Sequence, residues 1–284
     1  MMPIGWVSNI WQRGLTSLLR INTLLSEQPL LAPASGRPLS CSHPSLRCED
    51  LSFVYPDAQT VALDRVQIAL GPGLHGFTGR TGAGKSTLCR LLACLYPIEE
   101  KRLFLCSHDI GLADPGSARA LLSYVGQDPS LFSTTLYNNI LFGRPEASRE
   151  EVEQAAKEAG IHDFIVQLDR EYQTEVGEQG IRLSGGQRQR VALARALLRD
   201  GNILILDDAL SGLDVATEKK VMDAIIHRWQ GRLVLLVTHR VNLLARADSI
   251  TVMEEGKIVT HGSHAEVALT SSLYKAMLKK QGHA

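Results

Sequence analysis

The stretch "GRTGAGKST" at residues 79–87 follows an apolar segment and runs into a sequence of helical character. It matches the pattern G-x-x-x-x-G-K-[ST], whose glycines let the backbone turn its N–H groups inward around phosphate oxygens. A helix that starts at Lys85 adds its positive N-terminal end to the same place. A glycine loop that arose by chance is the alternative. The stretch predicts a strand, a glycine turn and a helix that together bind phosphate groups.

Two side chains of this turn have specific chemistry. Lys85 is predicted to reach the β- and γ-phosphates of a nucleotide, and the Ser86 hydroxyl is predicted to ligate Mg²⁺. The turn is therefore a candidate site for a nucleoside triphosphate with its metal ion. The nucleotide-binding residues predicted in this stretch are Gly79, Arg80, Thr81, Gly82, Ala83, Gly84, Lys85, Ser86 and Thr87.

A second stretch, "ILILDDALSGLD" at residues 203–214, ends an apolar run in two adjacent carboxylates. The run at residues 203–206 predicts a buried parallel strand whose C-terminal end delivers Asp207 beside the phosphate-binding turn. There Asp207 would hold Mg²⁺ through water. An acid that caps a helix or a turn is the alternative. Because two buried acids side by side cost folding energy, Asp208 also needs a chemical role.

Length, composition and charge limit the possible classes of protein. A chain of 284 residues with 44% hydrophobic residues suits one large α/β domain or two small ones. Lys+Arg and Asp+Glu are both 30, so the chain has no overall positive charge that would indicate a nucleic-acid partner. No apolar run reaches the length of a membrane span, and the start lacks the pattern of a signal peptide. The cysteines form neither a CxxC pair nor a disulfide-like framework, and we expect reduced thiols: Cys41, Cys48, Cys89, Cys94 and Cys106.

Hydrophobic patterning predicts an α/β arrangement from Leu46 onward. We expect a small antiparallel sheet first, then helices alternating with buried parallel strands, and a hairpin around Glu255-Gly256. The strand that precedes the phosphate-binding turn looks one residue short and contains Gly76, which predicts a weak strand. The expected strands are at 46–55, 66–70, 202–208 and 232–239, and the expected helices follow the glycine turn and lie at 149–168 and 185–200.

The opening residues 6–29 have helical periodicity, and a Pro/Ser/Gly-rich tether at 29–45 follows them. A helix on a flexible tether has little reason to be part of the next domain's core, so we expect it to belong to a larger assembly. A helix that packs on its own domain is the alternative. We divide the chain into residues 1–46, helix and linker, and residues 47–284. The apolar stripe of the helix is Val7, Trp11, Leu15, Leu18, Ile21 and Leu25.

Between the two phosphate-site motifs lies "LSGGQRQRVALARAL", which begins at Leu183. With it, the chain from Leu46 to the C-terminus resembles the nucleotide-binding domain, or cassette, of ATP-binding cassette (ABC) transporters. The resemblance implies an α/β P-loop NTPase with a RecA-like parallel-sheet core, an antiparallel β subdomain and a helical signature subdomain. The segments at 131–140 and 174–187 look like those of exporters. The opening helix is similar to the cytosolic end of an exporter's last transmembrane helix.

The resemblance implies further roles, residue by residue. Tyr55 matches the aromatic residue that stacks on adenine, and His239 matches the switch histidine. Gln127 matches the glutamine that senses Mg²⁺ and touches the membrane domain, and residues 211–214 match the loop after the second acid. The signature residues Ser184, Gly185, Gly186 and Gln187 would lie against a triphosphate. The implied catalytic residues are Asp208, His239 and Gln127, and the implied metal ligands are Ser86, Gln127 and Asp207.

In the family two cassettes pair head to tail, and each ATP lies between one chain's phosphate loop and the other chain's signature. The family has glutamate where this chain has Asp208, which is one methylene shorter. Because a misplacement near 1 Å costs on the order of a hundredfold in rate, we predict a site that binds ATP and hydrolyses it slowly. Backbone adjustment that restores the reach is the alternative. The intact signature would complete the site of a partner that carries glutamate, which predicts one half of a heterodimeric exporter.

The implied function is an ATPase that powers export, with ATP and Mg²⁺ as cofactors and a transmembrane domain as a further partner. Its place would be the cytoplasmic face of the inner membrane. Three alternatives remain from the sequence: a soluble ABC-type ATPase, a regulatory nucleotide binder that does not hydrolyse, and an inactive fragment. Asp208 is the argument for the second of these.

Overall fold

The computed structural model describes residues 4–26, 39–177 and 180–282, and the chain divides into two units, residues 1–33 and 34–284. The first unit contains helix α1 (Ile4–Ser26), which confirms the predicted helix. The side chain of Val7 lies outside the description. No helix in the described ranges is long and apolar enough to cross a membrane. The large apolar side chains that α1 exposes are Ile10, Trp11, Leu15, Leu18, Leu19, Ile21, Leu24 and Leu25.

The second unit begins its regular structure at Leu46, where we expect the cassette to start. Its strands are β1 (Leu46–Val54), β2 (Val61–Leu70), β3 (Gly73–Gly79), β4 (Leu103–Leu105), β5 (His108–Asp109), β6 (Leu122–Val125), β7 (Ile203–Asp207), β8 (Leu233–Val237), β9 (Ser249–Glu254) and β10 (Lys257–Gly262). Its helices are α2 (Lys85–Leu92), α3 (Pro115–Ala120), α4 (Leu136–Leu141), α5 (Arg149–Glu158), α6 (His162–Ile165), α7 (Gly185–Arg199), α8 (Val215–Arg228), α9 (Val241–Leu244), α10 (His264–Thr270) and α11 (Ser272–Lys280).

Two sheets organise these elements. One has four antiparallel strands in the order β2-β1-β4-β5. The other has six strands in the order β10-β9-β3-β8-β7-β6, parallel except for the β9–β10 hairpin. Every residue of β7 and β8 is buried, as expected of central parallel strands that are apolar up to Asp207 at the end of β7. The predicted α/β class, the antiparallel sheet and the hairpin are confirmed.

The predicted weakness of the strand before the phosphate-binding turn is wrong. Strand β3 lies at the centre of the six-stranded sheet and pairs in parallel with both β8 and β9. A Cβ atom on Gly76 would lie 2.7 Å from Cδ2 of Leu244 and 3.5 Å from Cβ of Ala247. The glycine therefore leaves room for α9 to pack closely on the strand, and it does not interrupt the strand.

The single helix expected at 149–168 is divided into α5 and α6. Gly160 separates them with a φ of 67°, in the left-handed region that ends helices. A Cβ atom at this glycine would lie 2.9 Å from Cγ2 of Thr217, at the start of α8. The break therefore lets α8 pack against the end of α5.

The predicted flexible tether is packed over its last part, residues 39–45. Leu39 and Cys41 lie against the hydrophobic core. His108 Nε2 lies 2.9 Å from the Ser40 carbonyl oxygen. The backbone N–H of Cys106 donates to the Ser45 carbonyl at 2.9 Å. The segment is thus attached beside the turn between β4 and β5, while residues 27–38 lie outside the described residues.

This packing also corrects the expectation that all the cysteines are reduced. Cys41 and Cys106 are joined by a disulfide bond, with their Cα atoms 5.3 Å apart. They are 65 positions apart in sequence, so only the path of the segment at 39–45 brings them together. The other cysteines, Cys48, Cys89 and Cys94, are free and buried.

Candidate nucleotide-binding site

The phosphate-binding turn connects β3 to α2 through three glycines with positive φ. These are Gly79 at 148°, Gly82 at 82° and Gly84 at 94°. A Cβ atom on Gly84 would lie 2.7 Å from the Ala62 carbonyl oxygen, whereas one on Gly82 would meet no atom within 4 Å. The turn is therefore closely packed on its protein side and open at Gly82, which is the side on which phosphate groups would lie.

Lys85, the first residue of α2, points back into this turn. Its side chain is 7% exposed, and its Nζ atom donates to the carbonyl oxygens of Gly79 and Arg80, each at 2.8 Å. Burial lowers the pKa of Lys85, and the carboxylates of Asp207 and Asp208 oppose this effect. The ammonium group is thus held beside the loop, with two acids close to it.

Ser86 and Asp207 meet at the end of β7. The Ser86 hydroxyl donates to Oδ1 of Asp207 at 3.0 Å, and Asp207 is 3% exposed. Burial raises the pKa of Asp207, while the hydrogen bond from Ser86 lowers it. A hydroxyl and a carboxylate oxygen side by side are the hard oxygen ligands that Mg²⁺ takes. The residues present therefore fit the metal ion predicted from the sequence.

These groups line one cleft of about 370 Å³, within the usual size of small-molecule sites. The cleft combines the phosphate-binding turn with polar side chains from several later segments of the chain. Most of the residues predicted for the nucleotide are brought together here, and Gly79 and Arg80 lie just behind them, bonded to Lys85. The lining residues are Tyr55, Thr60, Val61, Ala62, Thr81, Gly82, Ala83, Gly84, Lys85, Ser86, Thr87, Gln127, Asp207, Asp208, Val237 and His239.

Tyr55 is half-buried in the wall of this cleft. Its hydroxyl donates to Oγ1 of Thr87 at 3.1 Å and accepts from Arg90 at 3.2 Å. Its ring packs edge-on against Phe53 and Tyr96, with centroids 5.0 and 5.1 Å away. The aromatic ring is therefore fixed in the same cleft as the phosphate-binding turn.

Asp208 and His239 line the same cleft as Lys85. The backbone of Asp208 is left-handed, with φ at 51°, and its N–H donates to the Val237 carbonyl at 2.9 Å. Burial raises the pKa of Asp208, and the positive groups of His239 and Arg240 oppose it. Burial, and then the charge of Lys85, lower the pKa of His239. Asp208 and His239 thus line the same part of the cleft, where each opposes the effect of burial on the pKa of the other.

The signature residues do not line this cleft. Ser184 caps α7 by accepting from the N–H of Gln187 at 3.3 Å, and Gln187 Oε1 accepts from the N–H of Ser184 at 2.8 Å. A Cβ atom on Gly186 would lie 2.6 Å from the Gly212 carbonyl, so this turn packs against residues 211–214. Ser184 and Gly185 are exposed, and the start of α7 is thus a second, outward-facing helix N-terminus.

Comparison with known families shows which family the chain belongs to. The model of the ABC transporter family matches residues 63–211, which include the phosphate-binding turn, the signature and both acids. This chain belongs to the ABC transporter family. It has the fold of the ABC ATP-binding domain, and domains of this kind are ATPases that bind ATP.

Relatives of this ABC chain include proteins that are named as exporters. It is 40% identical to the multidrug resistance-like ATP-binding protein MdlA of Escherichia coli K12, over 99% of this chain and 48% of that protein. It is 37% identical to a putative export ATP-binding/permease protein of Rickettsia conorii, over 94% of this chain and 46% of that protein. The chain is 35% identical to a bacterial Atm1-family ABC exporter whose structure was solved with ATP bound. The two structures match over 98% of this chain and 49% of the exporter chain, with a TM-score of 0.89. The chain spans about half the length of each of these three proteins.

The sequence motifs did not reveal Gln189, which connects three parts of the ABC site. Its Nε2 atom donates to the Gln127 carbonyl and to the Ser211 hydroxyl, both at 3.3 Å, and its Oε1 atom accepts from the N–H of Gly212 at 3.0 Å. In the sequence it is one polar residue of the basic face of a helix. No local pattern distinguishes it from its solvated neighbours, because its partners lie in other segments.

Proposed function

We propose that the chain is an ATP-binding and ATP-hydrolysing cassette that powers export across a membrane. It would act with a transmembrane domain at the cytoplasmic face of the inner membrane. The observation that carries this proposal is the single cleft in which Lys85, the Ser86–Asp207 pair, Asp208 and His239 meet. The exporter relatives support the direction of transport.

Each side chain of the cleft has a part in binding the nucleotide. Lys85 would exchange its two carbonyl partners for phosphate oxygens, which form stronger charge-assisted hydrogen bonds. Ser86, Asp207 and Gln127 would hold Mg²⁺, which neutralises negative charge on the phosphates when it is bound. Tyr55 would stack on the base, since its ring already lies in the cleft wall.

Asp208 would orient the attacking water, and His239 would contact the terminal phosphate. A general base must come within about 2.6 to 3.2 Å of its proton donor. The side chain of aspartate is one methylene shorter than the glutamate of the family, so we propose that this site hydrolyses ATP slowly. A regulatory cassette that binds nucleotide without hydrolysis is the second candidate, and the shorter acid at Asp208 is the observation that favours it.

We further propose that a second cassette completes the site. Ser184 and Gly185 are exposed and do not line the cleft that contains Lys85. A helix N-terminus with an exposed glycine is suited to phosphate, and in a head-to-tail pair it would meet the partner's nucleotide. A partner with glutamate after its own magnesium-binding aspartate would form the fast site of a heterodimer.

Calorimetry with Mg-ATP tests the proposal on the folded 284-residue chain. We expect binding by the unmodified chain and by Lys275→Met, an exposed lysine of α11 that serves as the control. Lys85→Met should weaken binding about 10- to 100-fold, because a hydrogen bond to a charged group contributes about 1.5 to 3 kcal/mol. No heat of binding with folded protein, or equal affinities for both variants, would refute it. ATPase rates with and without an exporter half that carries glutamate separate the two candidates.

A further inference from the structure

An ion pair with a buried carboxylate lies beside the cleft and is not explained by nucleotide binding. Glu218 of α8 is 1% exposed, and the Arg240 guanidinium donates to its Oε2 atom. Asn242 Nδ2 donates to the other carboxylate oxygen at 2.7 Å. None of these three residues lines the cleft. A carboxylate this deeply buried is costly without a charged partner. Because Glu218 therefore keeps Arg240 as its partner, the ion pair fixes where the guanidinium lies.

Arg240 has further donors, and these go to a loop from another part of the chain. Its Nη2 atom donates to the Ser211 carbonyl at 2.6 Å, and Nη1 and Nη2 both lie 3.2 Å from the Leu213 carbonyl. The planar guanidinium can satisfy several acceptors at once in a fixed geometry, which a lysine cannot. One side chain thus connects the residue after His239 to the loop at 211–213.

The same loop is bonded to Asp208. The Ser211 hydroxyl donates to the Asp208 carbonyl at 2.9 Å, and the Ser211 N–H donates to it at 3.3 Å. The position of residue 211 therefore determines the carbonyl orientation of Asp208, whose backbone is already in the left-handed region. A loop released at 211–213 would remove both of these hydrogen bonds and loosen the backbone from which the Asp208 carboxylate extends.

We propose that Arg240, held by the buried Glu218, is a positioning residue for Asp208. It fixes the 211–213 loop, and through Ser211 it fixes the backbone from which the Asp208 carboxylate extends. The catalytic part of this inference rests on the proposed function. Arg240 does not line the cleft in which the nucleotide would bind, so its loss should affect turnover and leave ATP affinity nearly unchanged.

A paired substitution separates positioning from plain stability. Arg240→Met alone leaves Glu218 as an unpaired buried charge, which is strongly destabilising. In Arg240→Met/Glu218→Leu an apolar pair fills the same space, and such replacements often keep or raise stability. The apolar pair cannot donate hydrogen bonds to the carbonyls of Ser211 and Leu213. Arg240→Lys is the conservative variant, because it keeps the positive charge and loses the several donors of the planar guanidinium. It replaces the paired variant in both measurements if the paired variant does not fold.

Hydrogen exchange is the first readout because it needs no nucleotide. The N–H groups of Ser211, Gly212 and Leu213 donate to the Asp208 carbonyl, Gln189 Oε1 and the Leu210 carbonyl at 3.3, 3.0 and 3.1 Å. In the paired variant we expect these amides to exchange about tenfold faster, since local opening governs exchange. The amides of residues 79–87 should keep their rates.

Kinetics is the second readout, measured at saturating Mg-ATP with the unmodified chain as reference. We expect kcat to fall about 10- to 100-fold in the paired variant, as for a misplaced catalytic group. The Mg-ATP Kd should stay within about twofold and Tm within a few degrees. Unchanged exchange at 211–213, or an unchanged kcat, overturns the inference. A parallel loss of Tm and ATP affinity also overturns it, because it indicates a structural role only. Failure of the unmodified chain to bind Mg-ATP counts against the proposed function, and the exchange comparison still decides the positioning of the loop.

Discussion

The Ser86 hydroxyl donates a hydrogen bond to Oδ1 of Asp207 at 3.0 Å, across 121 positions of sequence. One residue lies at the start of α2 and the other at the end of β7, so the bond joins the two motifs that the sequence shows separately. It is formed in a part of the cleft where burial raises the pKa of Asp207 and so disfavours its negative charge. A cation bound at this pair would stabilise the charged carboxylate.

Ser86→Ala should remove most of the advantage that Mg²⁺ gives to ATP binding. The variant keeps the backbone N–H groups of the turn and Lys85, so affinity for ATP in EDTA should change little. Affinity in the presence of Mg²⁺ should fall about tenfold, which corresponds to about 1.4 kcal/mol. Calorimetry with and without Mg²⁺ measures both, and Ser86→Thr, which keeps the hydroxyl, is the matched control. Equal losses in both buffers would contradict a role in metal binding.

Asp208→Glu should raise the rate of ATP hydrolysis and lower stability slightly. The added methylene extends the carboxylate toward the attacking water, and we expect a gain on the order of tenfold in kcat. Glutamate tolerates the left-handed backbone at this position less well than aspartate, so the free energy of unfolding should fall by about 1 kcal/mol or less. Asp208→Asn, which removes the base and keeps the size, should abolish turnover with ATP binding retained. A rate that does not change with glutamate would show that the shorter carboxylate of Asp208 already reaches the attacking water.

Gly76→Ala should destabilise the protein by about 1 to 3 kcal/mol, because the added methyl overpacks a closed contact. Leu244, whose Cδ2 atom would lie 2.7 Å away, is fully buried, so its side chain would have to shift within the packed core. Gly71→Ala, where nothing lies within 4 Å, is the control and should be nearly neutral. Urea unfolding of both variants measures the difference.

A double-mutant cycle checks the physical cause of the Gly76 effect. In a Leu244→Ala background the space beside β3 is open, and Gly76→Ala should then be neutral or stabilising. The same loss of stability in both backgrounds would place the cause in the strand itself.

Reduction of the Cys41–Cys106 bond should lower stability. A cross-link that closes 65 residues restricts the unfolded chain by about 4 kcal/mol in the chain-entropy model. Dithiothreitol should therefore move the urea midpoint of the unmodified chain downward. Cys41→Ser should start from the lower midpoint and show no further effect of dithiothreitol. Five reactive thiols in the unfolded, unreduced protein would contradict the bond.

Local sequence was enough to predict the phosphate-binding turn, α7 and the β9–β10 hairpin. In each of them the decisive residues are consecutive, such as the glycines of the turn or Glu255-Gly256, so backbone preferences and periodicity determine the element. The two apolar strands that end in polar residues were predictable for the same reason. The cleft could also be anticipated, because carboxyl ends of parallel strands meet at one edge of a sheet.

Features that depend on distant packing were not predictable from the sequence. Gly76 looked like a weakness because its neighbour Leu244 is far along the chain. The bond between Cys41 and Cys106 depends on the path of a segment that reads as a linker. Arg240 reads as a residue after a histidine, and nothing near it in sequence indicates that its partners are a buried glutamate and a loop.

The outward-facing start of α7 has a consequence for genetics. Under head-to-tail pairing, a lesion at Ser184 would silence chemistry on the neighbouring subunit, while the polypeptide that bears the lesion still retains its own ATP. A genetic screen for lost transport would then identify a mutation in one subunit, whereas the loss of hydrolysis would be measured at the nucleotide site of the unmutated subunit. The mutated gene and the inactive site would belong to different polypeptides.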